Sequence, residues 1–183
     1  LYYSIFNIRN YLIYFIHTIL TYAIYKTVNL VFTTFNPMQE LNFPSYAFKL
    51  KSSENKTLIF DIVRKKYVIL TPEEWVRQHV IHFLLKEKNY PISLIAVEKQ
   101  LKINTRIKRT DIVVYNKQGT PELLIECKAP SVKITQTAFD QIARYNLTAN
   151  SNYLMVTNGL AHYFCQIDTT KETYIFLEDI PSY

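Results

Sequence analysis

The chain has 183 residues, 49% of them hydrophobic and 20% charged, with a formal net charge of +6. That is enough chain for a domain with a core of its own, and it excludes both a disordered tail and a large multidomain assembly. Gly119 and Gly159 are the only glycines, so no glycine-rich loop can cradle a nucleotide phosphate, and Rossmann and P-loop chemistry are excluded. Cys127 and Cys165 lie far apart with no CxxC pair, which argues against a disulfide framework or a cysteine-rich zinc site and for a reducing compartment.

Residues 1–37 carry two basic side chains, Arg9 and Lys26, no Asp or Glu, and six of the fifteen tyrosines, leaving a net charge of +4 from Met38 onward. The apolar run 11–25 is broken by His17, Thr18 and Thr21 and approaches the roughly 20 residues of a membrane span. Arg9 and Lys26 flank it with little orienting asymmetry, and no Ala-x-Ala cleavage site follows. Ile, Tyr, Phe, Asn, Leu and Thr dominate there, as in AT-rich DNA translated in frame. The expectation is therefore a non-native upstream extension over 1–37, a membrane anchor being the disfavoured reading, followed by a cytoplasmic domain over 38–183.

Within that domain the apolar period alternates between two and 3.6. Residues 46–51, 57–63 and 66–70 read as short strands. Thr71 then caps a helix, Pro72 suits its first position, and Glu74 completes a Thr-x-x-Glu capping box. Trp75, Val76, Val80, Phe83 and Leu84 form its apolar stripe, and Pro91 ends it near Asn89. A strand over 92–97 follows. Residues 106–115 and 122–128 form two more strands around the turn at 117–120, their runs at 112–114 and 123–125 apolar enough for a sheet covered on both faces. A second helix over 135–150 precedes strands at 153–157, 162–166 and 173–177. The sum is one α/β domain.

A hairpin symmetric about 118.5 places Asp111 opposite Glu126 on the same face of the sheet. Facing carboxylates repel, so a cation between them is favoured, and a hard divalent ion such as Mg²⁺ suits oxygen ligands. Period two adds Lys128 to that face and turns Cys127 away from it. A lysine there can orient a water and stabilise charge growing on phosphorus. On the second helix Gln141 and Tyr145 lie one turn apart, with Ala138, Ile142 and Leu147 as the packing side, so the pair is expected to project over the carboxylates. Glu73 or Glu74, in the first turn of the first helix, extends the carboxylate cluster. Lys108 and Arg109, beside Asp111, are expected phosphate contacts, whereas Arg64-Lys65-Lys66 reads equally as a solvated face. His79 and His82 lack an HExxH pattern and read as solvent-facing or core histidines.

Asp111, Glu126 and Lys128 match the D…(D/E)xK motif of the PD-(D/E)xK nuclease superfamily, with Thr110 in place of its frequent proline. Gln141 and Tyr145 match the QxxxY motif of its RecB-like branch. With residues 71–78, 108–114 and 124–130, the chain from Met38 to Tyr183 resembles the N-terminal nuclease domain of type I restriction enzyme R subunits. The resemblance implies a restriction-endonuclease-like α/β core, a mixed central β-sheet flanked by helices. It further implies a Mg²⁺-dependent DNA endonuclease, Mn²⁺ substituting, with Asp111 and Glu126 as metal ligands and Lys128 assisting the water. Glu73 or Glu74 would be the helical metal-side carboxylate, with a tilt toward Glu73 because capping occupies Glu74. Gln141 and Tyr145 would place the DNA. With no Walker motif, the chain binds no nucleotide, and restriction-modification subunits would supply recognition and ATP-driven movement. The alternatives are a catalytically inactive DNA-binding module of the same fold and a DNA-repair nuclease outside restriction.

Overall fold

The computed structural model describes residues 19–21, 38–103, 106–147, 151–168 and 170–183, with side chains excluded at 101–103, 106–108 and 144–147. The chain divides into two compact units, Leu1–Met38 and Gln39–Tyr183, and the strands and helices from Leu50 onward belong to the second. Among the described residues no helix is long and apolar enough to cross a membrane.

Short alternating segments build a three-stranded antiparallel sheet, β1 (Leu50–Ser53), β2 (Lys56–Asp61) and β3 (Lys66–Ile69). Helix α1 (Pro72–Lys86) comes next, begun by Thr71, whose Oγ accepts from the Glu74 N–H, and by Pro72. Only half of the expected capping box is made. The Thr71 N–H donates to the Ile69 carbonyl, and the Glu74 carboxylate is occupied by Arg64, Arg77 and Gln78. The helix unwinds before Asn89, whose φ of +59° is the left-handed conformation that commonly ends a helix.

Six strands form the main sheet in sequence order: β4 (Ile95–Ile103), β5 (Arg106–Tyr115), β6 (Pro121–Cys127), β7 (Tyr153–Thr157), β8 (His162–Asp168) and β9 (Thr173–Leu177). Every neighbouring pair is antiparallel except β6 and β7, which are parallel. A parallel pair needs a crossover, and helix α2 (Gln136–Leu147) lies within it. The sheet is thus mixed and flanked by helices, an α/β core of the restriction-endonuclease-like kind expected.

Alternation along the strands assigns the two faces. Ile112, Val114, Leu123, Ile125, Cys127 and Met155 share one cluster with Val76, Val80, Ile81 and Leu84 of α1. Val113, Leu124, Leu154 and Val156 share the other with Phe139 and Ala143 of α2. The inward stripe of α2 is therefore Phe139 and Ala143, with Ile142 beside them, rather than Ala138, Ile142 and Leu147. Ala138 is only half-buried, and the Leu147 side chain lies outside the described residues.

Two strand starts also differ from the sequence pattern. Residues 46–49 are not strand, because the rings of Tyr46 and Phe48 turn onto α1, 4.7 Å from His79 in the case of Phe48. After Pro91, Ile92–Leu94 forms a 3-10 turn, so β4 begins at Ile95 and runs on to Ile103. The end of the second helix at 150 falls outside the described residues.

Candidate nuclease site

The β5–β6 register pairs Ile112 with Ile125, Val113 with Leu124 and Val114 with Leu123, and one more step brings Asp111 opposite Glu126. The expected symmetry holds to Val114, beyond which a bulge absorbs one residue before the turn. Gly119 sits in that turn at φ +77°, a conformation that favours glycine. Asp111 lies at the end of the paired ladder, and its Oδ2 accepts the Cys127 N–H at 2.7 Å. The carboxylate is therefore fixed across the two strand ends. Cys127 points into the α1-side core, so alternation turns Glu126 away from that core at the last step of β6, and Lys128 follows just past the strand end. Lys128 Nζ donates to Glu126 Oε1 at 2.8 Å, and the Lys128 N–H ties to the Thr157 carbonyl of β7 at 2.8 Å.

Burial opposes the charge on Lys128, but the hydrogen bond and charge of Glu126, together with Asp111 and Glu73, more than offset it and raise its pKa. The amine thus stays protonated in a field of three carboxylates. The Cys127 thiol is pushed well up, by burial first and by Asp111 next, so it is an inert core residue.

Helix α1 supplies the other wall. Arg77 Nη2 donates to Asp111 Oδ1 at 2.8 Å and to Glu73 Oε1 at 2.9 Å, and its Nη1 donates to Glu74 Oε2. The guanidinium is buried, which opposes its charge, but Asp111 and Glu74 hold its pKa above the ordinary value. The two helical glutamates differ sharply. Glu74 is buried and bonded to Arg64, Arg77 and Gln78. Glu73 is 45% exposed and bonded to Arg77. Ion pairing, not capping, is what occupies Glu74.

Several members of this cluster escape sequence reasoning. Arg64 donates to Asp61 Oδ2 at 2.7 Å, to Glu98 Oε2 at 2.6 Å and to Glu74, so it is an internal cation and not a solvated one. Gln78 Nε2 bridges Asp61 and Glu74, 2.8 Å from each. Glu98 lies between Val97, paired with Ile112, and Lys99, paired with Thr110, which sets it opposite Asp111 on the other side from Glu126. Its φ of +52° breaks the ladder there, a strained conformation for a residue other than glycine. Burial alone would raise the Glu98 pKa, but Arg109 and Arg64 lower it. The usable signals were the three- and four-residue spacing of Arg77 from Glu74 and Glu73 and the β4–β5 register. Arg64 and Asp61 carried none.

Among the remaining expected residues, Arg109 is 61% exposed and its Nη2 lies 2.5 Å from Glu98 Oε1. The Lys108 and Tyr145 side chains lie outside the described residues. Gln141 is exposed, two positions from both Phe139 and Ala143, hence on the side of α2 turned away from its packed stripe. Thr110, in the place of the frequent proline, is buried and donates its hydroxyl to the Lys99 carbonyl. His79 and His82 are core histidines, each Nδ1 bonded to the carbonyl one turn back.

Among the described residues no group of three or more His, Cys, Asp or Glu could hold a metal ion. Asp111 and Glu126 do offer hard oxygen donors, and Mg²⁺ is commonly held by one or two carboxylates with water and substrate phosphate completing its shell. The donor chemistry fits Mg²⁺ in that minimal form.

The family model described as the type I restriction enzyme R protein N terminus matches residues 72–181. This spans more than half of the chain, from α1 through β9, and the chain belongs to that family. No curated protein matches. Among solved structures, the fragment structure of a putative HsdR subunit of a type I restriction enzyme from Vibrio vulnificus YJ016 aligns with a TM-score of 0.42 and 19% identity. The alignment covers 62% of this chain and 24% of that one.

Proposed function

We propose that this member of the R protein N-terminal family hydrolyses DNA phosphodiester bonds with Mg²⁺, or Mn²⁺ in its place, held by Asp111 and Glu126. The observation that carries the reading is the meeting of two carboxylates and one lysine at the end of β5 and β6, with Lys128 protonated against Glu126. Bound Mg²⁺ supplies a Lewis acid for the phosphoryl oxygens and makes a water acidic enough to attack. The chain's own residues do the rest. The Cys127 N–H and Arg77 fix the two Asp111 oxygens. Lys128 orients the water and stabilises the charge that grows on the phosphoryl group. Glu73, the more exposed of the helical pair, adds a third carboxylate to the field around Lys128 rather than a third metal ligand. Lys108 and Arg109 meet phosphates, and Gln141 and Tyr145 place the DNA. Partner subunits of a restriction-modification system supply recognition and ATP-driven movement, this chain binding no nucleotide.

One observation favours a second reading, a DNA-binding module of the same fold that does not cleave. Asp111 and Glu126 each already have a cation partner, Arg77 and Lys128. Supercoiled plasmid and a Mg²⁺ titration separate the two. The nuclease reading expects metal-dependent nicking that falls at least about a hundredfold in Lys128→Ala and Asp111→Asn, in line with losing one charge-stabilising group at a reacting centre. Salt-sensitive binding without nicking in either metal would sink it.

A further inference from the structure

The β1–β3 sheet precedes the family match and has an outward face of unusual make-up. Its register puts Leu50, Ile59 and Val68 in one row and Lys51, Leu58 and Ile69 in the next. Ile59 and Asp61 are fully buried, so their side of β2 is the inner face. The outer face carries Lys51 and Lys56, both exposed, the cross-strand pair Phe60 and Tyr67, and Ile69. Lys49 joins them, its carbonyl accepting the Phe60 N–H at 2.9 Å. The two rings are 5.2 Å apart, Lys49 Nζ lies 5.8 Å from the Phe60 centroid and Lys51 Nζ 5.9 Å from that of Tyr67.

The acidic residue of these three strands, Asp61, is on the inner face and bonded to Arg64 and Gln78. No carboxylate within the strands therefore neutralises the outer lysines, while Tyr67 and Ile69 remain 42% and 52% exposed. Lysines interleaved with exposed rings form the combination that holds a nucleic-acid strand: amines pair with phosphates and release counterions, and rings stack on bases whatever their identity.

We propose that the outer face of β1–β3 is a binding platform for single-stranded DNA, separate from the site at Asp111. The proposal rests on the reading that this chain acts on DNA, and charge complementarity is what selects a polyanion as the occupant. The test is fluorescence anisotropy of the full chain with a labelled oligothymidylate in EDTA, where no cleavage occurs, as a function of salt. Two variants are compared with the parent: Lys49→Gln/Lys51→Gln/Lys56→Gln, which alters exposed side chains, and Tyr67→Leu. Urea midpoints verify that both fold. Losing three phosphate contacts should lower the salt slope by about 2, and losing one stacking ring should weaken binding about tenfold with the slope unchanged. Should Tyr67→Leu not fold, the lysine variant decides alone. Parental affinity and slope in the variants would overturn the proposal. So would binding to phosphatidylserine vesicles with none to the oligonucleotide. If the parent does not nick plasmid yet the variants lose oligonucleotide binding, the platform stands and the nuclease reading falls. Nicking by the parent with normal binding by the variants gives the reverse.

Discussion

Replacing Arg77 by methionine keeps the volume of its stem and removes the charge that joins α1 to β5. The Arg77 side chain is 6% exposed, as is its partner Glu74, while Asp111 is 18% exposed and Glu73 45%. Removing one partner of a buried pair strands the other charge and costs about 3–5 kcal/mol. The half-exposed Glu73 pair adds about 0–1 kcal/mol. Two features pull the figure toward the lower end. Arg64 and Gln78 still hold Glu74, and the Cys127 N–H still holds Asp111. In addition, Arg77 Nε is buried without an acceptor, so its loss returns about 1 kcal/mol of desolvation. The expected destabilisation is about 3 kcal/mol, or roughly 6–12 °C in Tm for a body of this size. Urea unfolding followed by Trp75 fluorescence measures it, with an unchanged m-value as the check that the comparison is sound. In Arg77→Met/Glu74→Gln the loss should fall short of the sum of the single losses by at least about 0.5 kcal/mol, because no Glu74 charge is left stranded. A loss below about 1 kcal/mol in Arg77→Met, the cost of an exposed pair, would refute the assignment of Arg77 as the internal counter-ion.

Glu98→Gly and Glu98→Ala remove the same ion pairs with Arg64 and Arg109, but only glycine relaxes at φ +52°. The glycine variant should be the more stable of the two by about 1 kcal/mol in urea, and equal stabilities would contradict the strain at that position. Gly159 lies at φ +83°, and a Cβ there would stand 2.7 Å from Leu41 Cδ2 and 3.1 Å from Val76 Cγ2. Gly159→Ala should cost about 2–4 kcal/mol from backbone conformation and overpacking together, and a cost under about 1 kcal/mol would show that Leu41 moves aside freely. Burial lowers the pKa of His79, His82 and His162, so the unfolded chain binds more protons than the folded one. Stability from this source is complete above the ordinary histidine value near about 6.5 and is lost as pH falls below it. Urea midpoints from about pH 8 to 6 should decline, and decline less in His79→Phe; identical pH profiles would rule out His79 as a contributor.

The parts of the fold legible in the sequence are those fixed by local periodicity. The facing of Asp111 and Glu126 follows from a turn centred between Gln118 and Gly119 and from the period of two on either side, and the β5–β6 register realises it up to Val114. The start of α1 is legible because Thr71 and Pro72 act within one turn of the helix end. The inward stripe of α2 is not, because Ala138, Phe139, Ile142, Ala143 and Leu147 contain two apolar stripes, and only packing on Leu124 and Leu154 selects Phe139 and Ala143. Glu98 was hidden for a similar reason. Its backbone conformation gains nothing locally and makes sense only through Arg64, 34 residues away, and Arg109.

The same long-range pairs explain how a basic chain presents an acidic centre. Lys49, Lys51 and Lys56 lie on the outer face of a separate sheet, while Asp61, Glu73, Glu74, Glu98, Asp111 and Glu126 converge around Arg64, Arg77, Arg109 and Lys128. Among the described residues, six carboxylates against four cations leave a formal excess of two negative charges. Burying such a network is no source of stability in itself, since apolar residues of similar volume often do as well or better. It does tie down both oxygens of Asp111 and gives Glu126 a cation partner, and it leaves an excess that one divalent cation would neutralise. That neutralisation is also what the approach of a DNA phosphate needs, because the bare carboxylates would repel it. On the proposed nuclease reading, metal and DNA binding should therefore be cooperative at this site: DNA affinity measured with Ca²⁺, which can replace Mg²⁺ as a hard oxygen-seeking ion, should exceed that in EDTA, and the gain should disappear in Asp111→Asn. A gain of equal size in that variant would mean that the cation acts elsewhere on the chain.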